Sequence, residues 1–393
     1  MDQPVSICAV SCLCAAGNSA GKCFETMLNS SVTPNLPLFL DQADSSPSPV
    51  FSVPNNYNPE QSTLPITETL HLLFNTAAEA YHKTNLSKQN ANSLRIGSCI
   101  GTSTGASLNF KNFYQEWRKG SCPSMTSIHS YLHGNPAFEL AKKYSFNGPI
   151  QTVTNACSSG TDAIGIGASW IRNGLCDLVF AGGADALSEI SYTGFSRLMI
   201  TSPDSPRPFD KMRTGLNLGE GAAILVLAGT KAMHELDLFP LAEIMGYGTH
   251  CDAYHLTAPH PEASGLIKAI SEALRRSKLN ASDIGFINIH GTGTINNDKV
   301  EGVAINKLFP STPFVGIKGF TGHTLGAAGA IEAVMTILSL KHGLLMPTSG
   351  FSTQDPDIGI SPVQLKTAIN AEFALSQSLA FGGNNSAIIF KRK

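Results

Sequence analysis

The chain has 393 residues, enough to bury a large hydrophobic core, and 42% of them are hydrophobic. The formal net charge of -2 argues against general nucleic-acid binding, and the low charged fraction, 14%, indicates a large buried interface between subunits. Nine cysteines, an odd number without regular spacing, favour a reducing compartment over a disulfide framework. The first residues form no basic signal region and no apolar run could span a bilayer, so we expect a cytoplasmic protein.

The hydrophobic pattern predicts an α/β protein with buried strands. In chain order the predicted strands are 5–10, 94–100, 149–153, 176–181, 222–227, 241–246, 284–289 and 386–390. The predicted helices are 66–81, 163–171, 264–278 and 326–342. Two of the strands, 176–181 and 222–227, are continuously apolar, which is typical of strands buried on both faces. Residues 30–65 are rich in Ser, Pro and Asn, and they predict an irregular surface segment.

Cys157 stands where the predicted strand 149–153 gives way to a helix. The backbone N–H groups and the dipole at a helix start favour an anion, so we expect a lowered thiol pKa and an available thiolate. An isolated cysteine at a helix start is more often a small buried core residue. Two later segments favour the functional interpretation.

Two histidines and a lysine also follow predicted strands. His290 ends the strand 284–289 and opens the run His-Gly-Thr-Gly-Thr. Lys318 and His323 follow another short strand, and a helix rich in Ala and Gly begins just after His323. A lone histidine is more often structural, but cysteine with histidine is the usual composition of a thiol nucleophile. Together these strand-end residues predict an active site.

At these residues the sequence resembles the β-ketoacyl synthases, in particular their elongating Cys-His-His class. The resemblance covers nearly the whole chain and rests on four motifs: ACSSG at 156–160, HGTGT at 290–294, GHTLGAAG at 322–329 and LAFGGNN at 379–385. It implies an α/β, thiolase-like fold with five layers, α-β-α-β-α, usually dimeric across the sheet edges. We expect two similar halves, 1–235 with the nucleophile and 236–393 with both histidines.

The resemblance also implies a role for each of these residues. Cys157 would accept an acyl chain from an acyl carrier protein. His290 and His323 would donate to the oxyanion that forms when malonyl-carrier protein loses carbon dioxide. The backbone N–H groups of Cys157 and Phe381 would hold the second oxyanion, with Phe381 as the gate of the pocket. Lys318 would orient His323 and disfavour its imidazolium form.

The same resemblance gives less specific expectations for other residues. Lys318 could instead pair with a carboxylate such as Glu332. Thr292 and Thr294 would hydrogen-bond the pantetheine arm, although threonines in a loop are often only turn residues. No bound catalytic cofactor or metal is implied, because the phosphopantetheine arm is carried by the acyl carrier protein.

Two larger sets complete the expected site. A structural monovalent cation would suit the oxygen-bearing side chains Asn288, Glu332, Ser376 and Asn385. Docking of an acidic carrier protein would suit the basic residues Arg207, Lys211 and Arg213, for which a solvated charged loop is the alternative.

Three departures from the family pattern bear on the substrate. Leu216 stands where housekeeping fatty acid synthases carry an aromatic residue that packs by the gate. Two further departures lie in the segment 379–385 around Phe381, which we call the gate segment. Ala380 stands where those enzymes usually carry glycine or a similar small residue, and Asn384 stands where they carry threonine. These changes reshape the pocket and favour a bacterial secondary pathway, such as aryl polyene or polyketide assembly, over housekeeping fatty acid elongation.

Other classes fit the sequence less well. A thiolase would need a second cysteine after Cys251, and the chain has none. The initiating synthases use Cys-His-Asn, whereas the third member here is His323. A non-catalytic chain-length partner of a heterodimer typically lacks the cysteine. The sequence leaves open whether the enzyme is a homodimer or pairs with such a partner.

Overall fold

The computed structural model describes residues 4–37, 47–54, 68–86, 93–105 and 111–393. Its strands are β1 Ser6–Cys14, β2 Ile96–Gly101, β3 Ile150–Val153, β4 Leu178–Asp185, β5 Gly221–Ala228, β6 Ala242–Cys251, β7 Ile284–Asn288, β8 Phe314–Val315, β9 Leu344–Leu345, β10 Thr367–Ala368, β11 Phe373–Ala380 and β12 Asn384–Arg392. Its helices are α1 Ala20–Asn29, α2 Glu68–His82, α3 Lys111–Arg118, α4 Thr126–His133, α5 Pro136–Tyr144, α6 Ser159–Arg172, α7 Glu189–Arg197, α8 Thr230–Glu235, α9 Ser264–Ser277, α10 Ile295–Leu308, α11 Lys318–Thr321 and α12 Ala328–His342.

Strand pairing repeats between the two halves of the chain. The main sheet has the order β3-β2-β4-β5-β1-β6-β12-β11-β7-β8. In the first half β3, β2 and β4 are parallel, and β5 and β1 follow antiparallel. In the second half β8, β7 and β11 are parallel, and β12 and β6 follow antiparallel. The same sequence of parallel and antiparallel pairings is therefore found when the sheet is read from either outer edge.

The two half-sheets are joined by hydrogen bonds at one corner. The expected five-layered fold contains two sheet layers. Strand β1 pairs with β5 along its length and also with β6 at Ser6 and Ile7, so the two layers share this pairing. The described strands other than β9 and β10 therefore form one continuous sheet. The join is short, so each half keeps its own two faces.

Helices cover these faces in the expected five layers. Helices α6 and α12 lie between the half-sheets, within a core that draws residues from both halves. Helices α2, α5 and α8 pack on the outer face of the first half. Helices α9 and α10 pack on the outer face of the second. The layer order is thus α-β-α-β-α.

Small residues allow the central helices to approach closely. A Cβ added at Gly160 would lie 2.8 Å from the carbonyl oxygen of Gly326, and one added at Gly329 would lie 2.1 Å from Oγ1 of Thr161. A methyl group at either position would require the neighbouring atoms to move. This packing brings the starts of α6 and α12 together, and with them the residues that follow β3 and β8.

The predicted elements match the structure apart from their boundaries. Strand β1 runs to Cys14, four residues beyond its predicted end. Helix α12 begins at Ala328, because the preceding residues Leu325–Ala327 form a separate 3-10 turn. Parts of the segment 30–65, and residues 66 and 67 of the second predicted element, lie outside the described residues. Among the residues that are described, no helix combines the length and apolar character of a membrane crossing.

Candidate active site

One cavity collects the residues that the four motifs supplied. It has a volume of about 290 Å³ and opens at the ends of β3, β7 and β11. Its walls include every side chain that we expected at the nucleophile, at the histidines and at the substrate, namely Cys157, His290, His323, Thr292, Thr294, Leu216 and Phe381. The ligating atoms of Cys157, His290 and His323 all lie within 4.8 Å of one another. Residues up to 166 positions apart in sequence therefore face a single cavity.

The thiol lies on a tight turn, Ala156–Ser158, which we call the nucleophile turn. Ala156 has φ +49°, a left-handed conformation that is uncommon for a residue with a side chain. Cys157 is only 5% exposed. This backbone carries the thiol from the end of β3 into the cavity.

The pKa of Cys157 differs from our expectation. Burial raises the pKa of this thiol to about 12, although the Lys318 ammonium and the N–H of Phe381 oppose the rise. The expected lowering by the helix start does not prevail, because desolvation of a fully buried thiolate outweighs it. At neutral pH the resting residue is the thiol.

Both histidines are neutral and have assignable tautomers. Burial first, and then the Lys318 ammonium, hold the pKa values of His290 and His323 well below their usual range. Nδ1 of His290 faces the Lys318 ammonium at 3.0 Å, and Nδ1 of His323 accepts from the N–H of Leu325 at 3.3 Å. Each Nδ1 is thus an acceptor, so the network assigns the ring proton to Nε2. Two Nε2–H donors are available to the cavity.

We expected Lys318 to orient His323, but its hydrogen bonds are made to His290. Its ammonium donates to the carbonyl oxygen of His290 at 2.5 Å and forms a buried ion pair with Glu332. The alternative interpretation, a lysine paired with Glu332, is therefore correct, and the orienting contact falls on the other histidine. Lys318 is the first residue of α11, and from there its ammonium reaches the carbonyl oxygen of His290, which lies two residues after the end of β7. The Lys318 ammonium still helps to lower the pKa of His323, after burial, as we expected.

A carboxylate that the sequence analysis missed holds the loop after β7. Glu301 on α10 accepts the backbone N–H of His290 at 2.6 Å and that of Gly291 at 2.7 Å. Gln377 and Asn297 donate to the same carboxylate. Burial raises the pKa of Glu301 to about 7. The sequence signal that could have identified Glu301 is its position one helical turn after Asp298.

The gate segment, residues 379–385, joins β11 to β12. The ring of Phe381 stacks on Phe195 of α7 at 5.5 Å between ring centroids, and Phe195 meets His323 edge-on at 6.4 Å. Gly382 and Gly383 both have positive φ, +83° and +79°. These two glycines form the turn that places Phe381 over the cavity. Phe195 was not identified from the sequence.

Arg213 is not available for carrier-protein docking, contrary to our expectation. Its guanidinium is buried, pairs with Asp355 and lies 3.8 Å from Asp298. It ties the segment between α7 and β5 to α10, so its charge is used internally. Lys211 is exposed and Arg207 is half-buried, and these two remain as the docking candidates.

The expected cation site is partly formed. Oxygen atoms of Asn288, Glu332 and Ser376 are buried and have no hydrogen-bond partner among the described residues. Ser376 lies opposite Asn288 in the β11–β7 register. Asn385 instead donates its amide to Gly383 and to Asp252. Three of the four residues thus fit a hard cation, and the Lys318 ammonium already balances Glu332.

The five-layered fold and the Cys-His-His cavity define a thiolase-like condensing enzyme. Two family models match the chain, the N-terminal domain of β-ketoacyl synthase at residues 2–232 and its C-terminal domain at 241–352. The protein therefore belongs to the β-ketoacyl synthase family of acyltransferases, as the motifs predicted.

Known proteins of this family are similar to this chain over most of their length. A putative polyketide β-ketoacyl synthase 1 from Streptomyces cyaneus is 33% identical over 80% of this chain and 79% of its own. The 3-oxoacyl-[acyl-carrier-protein] synthase 2 of Synechocystis is 33% identical over 82% of this chain and 81% of its own. A solved structure, the ishigamide ketosynthase/chain length factor, is 27% identical with a TM-score of 0.94 and full coverage of both chains.

Proposed function

We propose that the protein is a β-ketoacyl-acyl carrier protein synthase that uses Cys157 as its acyl acceptor. The observation that carries the proposal is the cavity in which a thiol faces two neutral histidines, each assigned an Nε2–H donor. A thiol and two fixed donors match the needs of acyl transfer followed by a decarboxylative condensation.

In the first half-reaction the Cys157 sulfur attacks the thioester of an acyl carrier protein. The bond between the acyl carbon and the pantetheine sulfur breaks, and the thiol proton of Cys157 passes to that leaving sulfur. No external base is consumed, which is compatible with a resting thiol of raised pKa. The N–H groups of Cys157 and Phe381 stabilise the oxyanion of the tetrahedral intermediate.

In the second half-reaction malonyl-carrier protein loses carbon dioxide. The enolate oxygen that forms accepts hydrogen bonds from Nε2–H of His290 and of His323. The enolate carbon then attacks the acyl-Cys157 carbonyl, and the carbon–sulfur bond breaks to give β-ketoacyl-carrier protein. The released thiolate takes up one proton. Lys318 keeps His290 in the donor tautomer throughout, because its ammonium occupies Nδ1.

The substrate supplies the only prosthetic group of the reaction, the phosphopantetheine arm of the carrier protein. In our proposal Thr292 and Thr294, whose hydroxyls lie 2.9 Å apart on the cavity wall, receive this arm. Lys211 and Arg207 attract the acidic carrier protein. A monovalent cation bound by Asn288, Glu332 and Ser376 would be structural.

We further propose how the subunits assemble, how the chain divides and in which compartment the enzyme works. The enzyme works as a homodimer or as a heterodimer with a chain-length subunit, and the similar ishigamide ketosynthase/chain length factor supports the second arrangement. The chain divides into the halves 1–235 and 236–393. All nine cysteines are thiols, which supports a reducing compartment such as the cytoplasm.

Intact-mass measurement after incubation with acyl carrier proteins of several types tests the proposed nucleophile. We expect a mass gain equal to one acyl group in the wild type and none in Cys157→Ala. An acyl gain that persists in Cys157→Ala would refute the assignment. The best donor identifies the acyl class.

A secondary pathway is the finer part of the proposal. Leu216 and Ala380 line the cavity, and Asn384 begins β12 beside it, so the departures from the housekeeping pattern lie at the pocket. A competition between saturated and polyenoyl carrier-protein substrates separates the two roles. We expect preference for the unsaturated chains. Free extension of saturated chains with rejection of polyenoyl chains would favour housekeeping fatty acid elongation.

The alternative function is that of a non-catalytic chain-length subunit in a ketosynthase heterodimer. The retained thiol and both histidines, buried around one cavity, argue against it. A partner subunit of that kind would take up no acyl group, alone or when expressed with a second ketosynthase chain.

A further inference from the structure

A buried carboxylate lies directly beneath the nucleophile turn. Asp162, on the first turn of α6, is 3% exposed. Its Oδ2 accepts from Nδ2 of Asn155 at 2.7 Å and from the hydroxyl of Ser158 at 2.8 Å. Asn155 immediately precedes the turn that carries Cys157, and Ser158 is its last residue. One oxygen of Asp162 therefore fixes both ends of that turn.

The other oxygen of Asp162 reaches the second half of the molecule. Oδ1 accepts from the hydroxyl of Tyr247 on β6 at 2.7 Å and from the hydroxyl of Ser386 on β12. Ser386 is the first residue after the gate segment. All four donors are neutral groups, and their hydrogen bonds both stabilise the buried carboxylate and fix its orientation.

A second contact runs beside the first. The hydroxyl of Thr161 is 2.8 Å from that of Ser378, the last residue before the gate segment. Adjacent residues of α6 thus hold the two strands that enter and leave the gate segment. Both contacts are buried, so water does not compete for them.

We propose that Asp162 is a positioning residue that sets the spacing between the two N–H groups of the oxyanion hole. One of these groups belongs to Cys157 in the first half and the other to Phe381 in the second. Asp162 accepts from Ser158, the residue after Cys157, and from Ser386, the residue after the gate segment, so one carboxylate joins the two segments. The inference rests on the proposed function, since it concerns the acyl-transfer step on Cys157.

The test compares two reactions of the same thiol. Acyl transfer from a carrier protein passes through an oxyanion, whereas alkylation by iodoacetamide displaces iodide, releases the thiol proton to solvent and forms none. In Asp162→Asn one oxygen becomes a donor, so one of the two links loses its acceptor. We expect acylation to slow by about 10- to 100-fold, with the alkylation rate within about twofold of wild type.

Asp177→Asn is the matched control. Asp177 is a buried carboxylate that accepts from the N–H of Arg95 at the far end of β4. We expect both of its rates to equal those of wild type. Ser386→Ala removes one donor and keeps the carboxylate, so it decides the question where Asp162→Asn does not fold.

Three outcomes would overturn the proposal. Acylation at the wild-type rate in Asp162→Asn or Ser386→Ala would show that the link does not set the oxyanion hole. A parallel fall of acylation and alkylation would assign Asp162 to the position of the thiol alone. A wild-type protein that is alkylated but takes no acyl group would refute the proposed function itself, and with it the step that Asp162 is proposed to serve.

Discussion

At the scale of single residues, burial dominates the chemistry of Cys157. The thiol pKa of about 12 means that the thiolate fraction stays small across the physiological range. The Lys318 ammonium and the Phe381 N–H soften this effect without reversing it. In the proposed mechanism Cys157 is therefore a protected thiol that reacts when a carrier-bound thioester enters the cavity.

We predict that the alkylation rate of Cys157 by iodoacetamide rises about tenfold per pH unit from pH 7 to pH 10. The reason is that the reactive thiolate fraction grows in proportion to hydroxide while pH is below the thiol pKa. Stopped-time mass spectrometry of the Cys157 peptide measures the rate, with exposed Cys122 in the same sample as an internal control. A plateau for Cys157 below pH 9 would contradict the raised pKa.

The buried pair of Lys318 and Glu332 is the second residue-scale feature. Both side chains are at most 2% exposed, so each charge depends on the other. Burial raises the pKa of Glu332 to about 7, against the lowering effect of Lys318. Removal of one partner leaves the other as an uncompensated buried group.

We predict that Lys318→Met lowers the free energy of unfolding by about 3–5 kcal/mol at pH 8, where the Glu332 carboxyl is mostly ionised. Urea unfolding measures this change. The double variant Lys318→Met/Glu332→Leu should recover most of the loss, because it removes both charges. A single variant within about 1 kcal/mol of wild type would mean that Glu332 is protonated in the folded protein.

At the scale of elements, the central helix α6 is held by a glycine. A Cβ at Gly165 would lie 2.4–2.6 Å from the ring of Tyr247 on β6. Tyr247 is the residue that donates to Asp162, so this contact also supports the link to the nucleophile turn. Close packing and site geometry therefore depend on the same pair of elements.

We predict that Gly165→Ala lowers the free energy of unfolding by about 1–3 kcal/mol and also slows acylation of Cys157. Gly194→Ala in α7 is the matched control, since a Cβ there meets nothing within 4 Å. That substitution should raise stability by about 0.5–1 kcal/mol through helix propensity. Equal effects of both substitutions in urea unfolding would refute the packing argument.

At the scale of the whole molecule, β3 is an outer strand of the sheet. It pairs with β2 on one side only, and Ile150 on it is 40% exposed. An apolar outer strand this close to the nucleophile turn is suited to pairing with a second subunit. The low charged fraction of the chain fits the same arrangement.

We predict that the wild-type protein sediments as a dimer and that Ile150→Asp shifts it to the monomer, because a buried charge would oppose strand pairing across the interface. Leu365→Asp, at a site that is 77% exposed near β10, should leave the dimer intact. Sedimentation velocity distinguishes the species. A dimer that persists in Ile150→Asp would place the interface elsewhere.

The amino-acid sequence by itself determined most strands of the main sheet, the long helices α2, α6, α9 and α12, and the three strand-end residues Cys157, His290 and His323. These features are encoded locally, since apolar runs define buried strands and Gly-rich motifs define the turns that follow them. The repeated strand order was also foreseeable from the resemblance. None of this required knowledge of which distant residues touch.

Only the tertiary structure decided the partners and the protonation states. Lys318 bonds to His290, Arg213 is buried in ion pairs, and Asp162 meets Ser386 from 224 residues away. Such contacts depend on how the halves pack, and the desolvation that raises the Cys157 pKa exists only once the core has closed. Sequence patterns identify the candidate reacting groups, while burial and long-range contacts determine their protonation states and hydrogen-bond partners.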